Sequence, residues 1–343
     1  MNNLTKRQKF ILTLVIHEFI RTAIPVGSKH LVEKYNLNIS SATVRNELAE
    51  LTEQGYLRQL HTSAGREPTE EGYRYFVGRL LRENDLDETT RNMITHQFYQ
   101  TSHNVEQWMR LAASILASQS QSASIVTSPR VEQAKFKHLE LISTHGQQVL
   151  MVLVLIGGEV HQNILTLEEP ITQEELTTTA GMLTSTFHGM DLSSIQANVQ
   201  KFHTLSRTIA EWVVAEMRSQ DSVITGEVYL DGMNFFLEKP EFAHADEARR
   251  ALRVLEERPL LQDLLSRTML PETADGVQVL IGGEGRLDEL RECSVILAKY
   301  GMPGYAMGTL GVLGPMRMFY GRSISTIRFV SGLLSDMVAE QLG

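Results

Sequence analysis

The stretch SATVRNELAELTEQGYLRQLHTSAGREPTEEGYR, residues 41–74, decides how the N-terminal part of this chain folds. Its first apolar side chains recur at the spacing of a single helix face: Val44, Leu48 and Leu51. This periodicity predicts a helix that Ser40 or Ser41 caps and that ends at Gly55, the residue type preferred just after a helix.

The face opposite this apolar stripe carries Asn46, and Thr43 and Arg45 flank that face; all three can recognise base edges in DNA. Asn46 can bond adenine through two hydrogen bonds, Arg45 can do the same with guanine, and Thr43 can meet a thymine methyl group. Ser40 and Ser41, with the free N–H groups of the first turn, suit a phosphate. A plain surface helix of a small domain would show a similar face, so this helix alone leaves both interpretations open.

The segment after this helix predicts a short strand, a polar loop and a further helix. Residues 56–61 favour a strand, residues 62–68 favour a loop, and Thr69 caps a helix that continues to Leu80. A hairpin whose tip carries cations and hydroxyls is typical of a wing that contacts the DNA backbone or minor groove. The candidate DNA-binding side chains of this segment are Arg58, His61, Ser63 and Arg66.

Two helices are predicted before this region. Thr5 and Gln8 form a capping box for the first, which ends near Ala23. A short second helix follows, with Ser28 as its expected N-cap. Two helices, a recognition helix, a wing and a last helix together predict a winged helix-turn-helix that binds DNA over residues 1–82.

Charge is distributed unevenly along the 343 residues, whose net charge is −9. Residues 1–82 hold 12 Lys and Arg against 8 Asp and Glu, a net +4, and the other 261 residues carry −13. A basic module on an acidic body is typical of nucleic-acid-binding proteins. A surplus of four charges is also compatible with chance variation, so it supports the DNA-binding interpretation without deciding it.

The motifs of this region strongly resemble the HrcA family of heat-inducible transcription repressors. The resemblance is carried by SATVRNEL at residues 41–48 and SAGREPTEEGYR at residues 63–74, and it covers the whole chain. It implies repression of chaperone operons through a double-stranded inverted-repeat operator, with the chaperonin GroEL promoting the DNA-binding form. The chain departs from the family at Met316 and Gly285, where threonine and asparagine are expected.

The rest of the chain predicts an α+β multidomain protein. Strands at residues 138–143, 149–156 and 161–167 have short turns between them, which favours an antiparallel meander. Further elements are expected later: helices at residues 89–120, 173–188, 204–219, 243–256, 259–268 and 323–341, and strands at residues 277–281, 294–298 and 309–313. We interpret the polar run at residues 118–122 as a helix end rather than a hinge.

The family resemblance implies that the body is a GAF-like antiparallel α/β domain with an inserted dimerisation domain. We expect a linker and helix at residues 83–103, the GAF-like domain at 104–168 and 276–343, and the insertion at 169–275. A homodimer also follows from geometry, because one recognition helix covers few base pairs and a symmetric pair can span an inverted repeat.

Several function classes find no support in the sequence. Cys293 is the single cysteine, so no internal disulfide and no thiolate cluster for a metal can form. The longest apolar run, residues 149–156, is too short to cross a membrane, and no secretory signal is visible, which together predict a cytoplasmic protein. The repeated VLIGGE at 154–159 and 279–284 lacks the lysine of a phosphate loop and favours turns.

Two other functions remain as alternatives at the level of sequence. A metabolite-sensing winged-helix regulator would bind a small molecule in the GAF-like part, and would need polar groups converging in a pocket. An enzyme with a winged-helix appendage would need a catalytic constellation. Neither pattern is visible, so we expect no enzyme activity, no catalytic residue, no cofactor and no metal.

Overall fold

The structure, a computed structural model, describes residues 4–61, 65–81, 86–101, 104–130, 135–156, 160–167, 169–221, 227–242, 245–266, 276–282, 288–302 and 305–342. It is an α+β protein with antiparallel sheets. Its contacts divide the chain into two compact units. The first comprises residues 1–128, 227–300 and 308–343, and the second comprises residues 129–226 and 301–307.

The first 81 residues form helices around a two-stranded hairpin. Their bounds are α1 (Lys6–Thr22), α2 (Ser28–Tyr35), α3 (Ser41–Glu53), β1 (Leu57–Arg58), β2 (Glu67–Pro68), α4 (Glu70–Tyr75) and a π-helical turn (Phe76–Leu80). The four predicted helices are present, although the last continues as a π-helical turn from Phe76, and the strand predicted at residues 56–61 is limited to Leu57–Arg58. The apolar stripes pack inward, and the side chains of the recognition-helix stripe are at most 4% exposed: Val44, Leu48 and Leu51.

Local capping chemistry sets most of these helix ends. Thr5 and Gln8 make the predicted capping box, and the Ser40 hydroxyl accepts a hydrogen bond from the Thr43 N–H at 3.1 Å. The prediction for Ser28 is wrong: Gly27 is the N-cap of α2 and makes no side-chain bond. Ser28 is instead the first residue of the helix, where its side chain is buried.

The remaining elements follow in chain order. Their bounds are α5 (Glu88–Gln100), α6 (Val105–Ser120), β3 (Ala123–Thr127), β4 (Phe136–His145), β5 (Gln148–Leu155), β6 (Val160–Thr166), α7 (Gln173–Phe187), α8 (Leu192–Val199), α9 (Thr204–Asp221), β7 (Val228–Asp231), α10 (Met233–Leu237), a 3-10 turn (Pro240–Phe242), α11 (Ala245–Glu256), α12 (Arg258–Ser266), β8 (Val277–Ile281), a 3-10 turn (Asp288–Leu290), β9 (Cys293–Met302), β10 (Ala306–Pro315) and α13 (Tyr320–Leu342).

The single helix predicted over residues 89–120 is in fact two helices. The Asn104 side chain accepts a hydrogen bond from the Glu106 N–H at 2.9 Å and starts α6 as an N-cap. The polar run at its far end does terminate this helix, because Gln121 adopts the left-handed conformation there.

A five-stranded sheet is the centre of the first unit, with strand order β7-β3-β10-β9-β8. α6 packs against β3 and β7, while α13 packs along α6. A second layer of apolar residues from α10, α11 and α12 closes the core around Phe236, Leu255 and Leu264. Neither β3 nor β7 was predicted, since every residue of β3 is buried and such a strand shows no alternation.

The second unit contains the predicted meander, a sheet of order β4-β5-β6. We expected these strands to share a domain with residues 276–343. Instead, alternate residues of β4 and β5 bury one sheet face in a common core with α7 and α9. Leu141 and Leu153 of the sheet, with Leu183 and Phe187 of α7, are all fully buried there. The boundaries of the units therefore differ from those expected for the domains.

The other face of this meander is open and has an apolar patch around Leu150, beside the polar pair of His138 and Glu140. Leu150 lies opposite Ile142 on one neighbouring strand and Ile164 on the other, and these two isoleucines are 44% and 62% exposed. On the same face Val160, 53% exposed, lies opposite Val154. Apolar patches of this kind on a protein surface indicate an interaction site.

No helix in the described ranges combines the length and the apolar character that crossing a membrane requires.

Candidate nucleic-acid interface

Polar pairs fix the orientation of α3 against α1. Arg7 forms an ion pair with the buried carboxylate of Glu47, and Gln8 Nε2 donates to Glu50 Oε2 at 2.7 Å. Because these bonds and the apolar stripe lie on one side of α3, the opposite side faces solvent. The helix is thereby presented as a rigid, outward-facing element.

The predicted recognition residues lie on this outward side and around its first turn. Ser40 and Thr43 bond each other through their hydroxyls at 2.9 Å, and Ser41 is half-buried at the helix start. Arg45 and Asn46 are exposed. Neither side chain makes a hydrogen bond or ion pair with any residue in the part of the chain that the structure describes.

The predicted wing residues are more strongly engaged within the fold. Arg58 is paired with Glu67, which lies directly opposite it in the hairpin, although the arginine side chain stays 60% exposed. Arg66 Nε donates to Thr52 Oγ1 at 3.0 Å, so this arginine lies against the end of α3. His61 is exposed. The prediction for Ser63 falls outside the described residues.

The hairpin is held to the helices by close backbone approach. Arg66 and Val26 exchange two backbone hydrogen bonds of 2.8 Å, and a Cβ on the neighbouring Gly65 would collide with the backbone of Pro25. A Cβ on Gly72 would likewise collide with the Tyr56 carbonyl oxygen. Much of the SAGREPTEEGYR motif therefore builds the scaffold of this module rather than its outer surface.

A buried carboxylate, which sequence reasoning missed, ties α1 to α2. Glu18 is 1% exposed; its carboxylate accepts from Lys34 Nζ at 2.6 Å and from the Tyr35 hydroxyl at 3.0 Å, and His30 Nε2 lies 3.5 Å away. Burial raises the pKa of Glu18, but the hydrogen bonds from Lys34, Tyr35 and His30 outweigh burial and hold that pKa below its usual value. Glu18 follows the buried Val15 and Ile11 by three and seven residues, so helical periodicity places it on the buried face of α1. This spacing was the signal in the sequence that could have revealed it.

We expect Glu18→Gln to lower the free energy of unfolding of this module by about 2 kcal/mol, because it leaves Lys34 without its anion. A carboxylate whose pKa is lower in the folded than in the unfolded protein stabilises the folded state at pH values above its unfolded pKa. That stabilisation is lost as the pH falls through the folded pKa. Wild-type protein should thus lose more stability than the variant between pH 5 and pH 3 in melts followed by circular dichroism. Glu53→Gln, an exposed change on α3, is the control; equal losses in wild type and Glu18→Gln would contradict the assignment.

Two arginines connect these N-terminal elements to the rest of the first unit. Arg317 is paired with Glu241 and donates from Nη1 to the Ile20 carbonyl at 3.1 Å, near the end of α1. Arg74 is paired with Glu70 and donates to the Ile281 carbonyl at 3.3 Å. Side chains and backbone therefore join α1 and α4 to the sheet region.

Met316, where the family resemblance predicts threonine, lies next to Arg317 in the chain. Its polar contacts are made by its backbone. The Met316 carbonyl accepts from the Tyr320 hydroxyl at 2.6 Å, and its N–H donates to the Glu292 carbonyl at 3.2 Å. A methionine side chain leaves both bonds intact. The other departure, Gly285, lies outside the described residues.

The thiol of Cys293 is buried. Burial raises the pKa of the Cys293 thiol well above its usual value, which keeps the thiol protonated and unreactive. No group of three His, Cys, Asp or Glu side chains among the described residues is placed to hold a metal ion.

Comparison with known proteins points to one family. A family model described as HrcA protein C terminal domain matches residues 106–324. The heat-inducible transcription repressor HrcA of Roseiflexus castenholzii is 43% identical over 99% of this chain and 96% of its own length. The repressor of the same name from Chloroflexus aurantiacus is 42% identical over 98% and 94%.

A solved structure titled as that of a hypothetical protein shares the fold. It has a TM-score of 0.61 and 21% identity, and the match covers 98% of this chain and 99% of that one.

Proposed function

Because this chain belongs to the HrcA family of heat-inducible transcription repressors, we propose that it represses heat-shock transcription by binding operator DNA through α3. In this proposal residues 4–81 are a winged helix-turn-helix, α3 enters the major groove, and the β1–β2 hairpin is the wing. The names of the relatives favour this function over a metabolite-sensing regulator and over an enzyme.

One observation carries the proposal: the recognition side chains are left free while their neighbours are bonded. Arg45 and Asn46 are exposed and unbonded to any described residue, whereas Glu47 and Glu50 on the same helix are tied to α1. Exposed guanidinium and amide groups on a rigid helix can recognise guanine and adenine. Ser40 and Ser41 would meet a phosphate at the first turn, and Thr43 would meet a thymine methyl group.

The wing would add backbone contacts around this recognition. His61 and the exposed part of Arg58 suit phosphate or minor-groove contacts, and we assign Ser63 and Arg66, which follow them in the sequence, to the same role. Since Arg66 uses Nε for Thr52, its Nη groups are the ones we assign to DNA. These contacts would position the protein without specifying sequence.

Asn46→Ala is expected to weaken operator binding by about 1–3 kcal/mol, because it removes a bidentate base contact. Binding to a scrambled duplex should stay the same, since phosphate contacts are untouched. Fluorescence anisotropy against both duplexes measures this, with Asn163→Ala, an exposed asparagine of the second unit, as the control. Unchanged operator binding by Asn46→Ala would contradict the proposed orientation of α3.

We further propose that the protein acts as a homodimer whose contact is the open face of the β4-β5-β6 sheet. A self-complementary apolar face such as that around Leu150 suits a two-fold symmetric interface. The second unit would then be the inserted dimerisation domain, and the five-stranded sheet with its helices would be the GAF-like domain.

Modulation by the chaperonin GroEL is part of the same proposal and rests on the family resemblance. It is tested by titrating purified protein against an inverted-repeat chaperone operator and a scrambled duplex, with and without chaperonin. Operator-selective binding that chaperonin strengthens supports repression and its modulation. Equal, salt-sensitive binding to both duplexes would contradict operator recognition.

A further inference from the structure

A groove of about 850 Å³ lies within the first unit, between α1 and the start of α13. The π-helical turn and Tyr35 of α2 complete its lining. This volume falls in the range of roughly 300–1,000 Å³ that is typical of sites for small molecules. This groove is distinct from the outward face of α3, which contributes no residue to its lining.

Much of the lining is apolar, and part of that apolar surface is open to solvent. Its apolar members come from three elements: Phe10, Ile20, Phe76, Leu80, Leu81, Phe319 and Tyr320. Phe10 is 51% exposed and Phe319 is 49% exposed, although both are large aromatic side chains. An apolar ligand would remove this surface from water, which favours its binding.

The charges of the lining have one sign. Lys9, Arg21 and Arg322 contribute cations, and no Asp or Glu is found among the lining residues that the structure describes. Most of this lining belongs to residues 1–82, which carry a net charge of +4. Burial lowers the pKa of His17, so this groove residue is neutral at pH 7 and supplies a hydrogen-bonding group rather than a charge.

We propose that this groove binds an amphipathic carboxylate, a small molecule with an apolar body and one anionic head. The apolar body would pack on Phe10, Phe76 and Phe319, and the carboxylate would bond the guanidinium groups of Arg21 and Arg322. DNA fits less well, because its phosphates would be drawn to the cations but would leave the apolar lining uncovered. The bound molecule would touch both α1 and α13, and so would hold the DNA-binding elements against the rest of the first unit.

Isothermal titration calorimetry of the full-length protein with decanoate, below its micelle concentration, tests this inference. We expect saturable binding of one molecule per chain. Decanol and decyltrimethylammonium have the same apolar chain with a neutral and a cationic head, and should bind at least 10-fold more weakly. Occupancy should also raise the melting temperature of the protein, since the ligand binds the folded state.

Exposed positions allow variants that keep the fold. Arg21→Gln should weaken decanoate at least 10-fold and leave decanol unchanged, whereas Phe10→Ala should weaken both. Arg291→Gln, which removes an exposed cation outside the groove, is the control. Absence of saturable binding would overturn the proposal. So would equal binding of the three head groups, or decanoate affinities of Arg21→Gln and Phe10→Ala that match the control.

Discussion

Replacement of Gly72 by alanine is expected to destabilise the N-terminal module by about 3 kcal/mol, the upper end of the cost of overpacking. The new Cβ would collide with the Tyr56 carbonyl oxygen, a backbone atom that already accepts from the Thr69 N–H at 3.1 Å. A helical alanine gains only about 1 kcal/mol over glycine, so the collision decides the sign. Because α4 must shift away from the connection between α3 and β1, which positions both the recognition helix and the hairpin, operator binding should fall at least 100-fold.

Gly78→Ala is the matched control for this substitution. Gly78 lies in the π-helical turn six residues later, and a Cβ there meets nothing within 4 Å. The same chemical change should therefore be neutral or slightly stabilising. Chemical denaturation and anisotropy titration measure both variants. A Gly72→Ala protein as stable as Gly78→Ala would show that the Tyr56 backbone can move aside, contrary to the packing described.

Placing a lysine at Ile164 is expected to convert the protein into a monomer and to lower operator affinity about 1,000-fold. The side chain lies on the open sheet face beside Leu150, where a buried unpaired charge in a dimer contact costs several kcal/mol. A monomer presents one recognition helix and cannot contact the second half-site. It therefore loses much of the affinity difference between specific and non-specific DNA, which is typically 10³-fold or more.

Asn163→Lys provides the matched control, since the neighbouring residue in β6 points to the other side of the sheet and is also exposed. Sedimentation and operator titration are made on both variants. We expect Asn163→Lys to remain dimeric and to bind normally. If Ile164→Lys stays dimeric, the contact lies on another surface, and the proposed role of the open sheet face is wrong.

Local signals in the sequence predicted the N-terminal helices well. Thr5, Ser40 and Thr69 each cap a helix as expected, because a hydroxyl before an apolar repeat satisfies a free N–H whatever the rest of the fold does. The exposure of Arg45 and Asn46 also followed from helical periodicity, which places them away from the apolar stripe.

Features that depend on distant residues were not predictable in this way. The ion pair of Arg58 with Glu67 and the bond from Arg66 to Thr52 engage part of two predicted DNA-binding side chains within the module, and no sequence spacing reveals these bonds. The grouping of β4 and β5 with α7 depends on which apolar face meets which partner. Periodicity identifies an apolar face but not the surface that covers it.

The position of β10 has a consequence for how each molecule is made. β10 is the central strand of its sheet and pairs with β3, roughly 180 residues earlier in the chain. Ribosomes add roughly 5–20 residues per second, so the fully buried side chains of β3 wait on the order of 10–40 s for that neighbour. Newly made chains therefore pass through an aggregation-prone interval, and we expect the yield of active repressor to track how well the cell shields nascent chains.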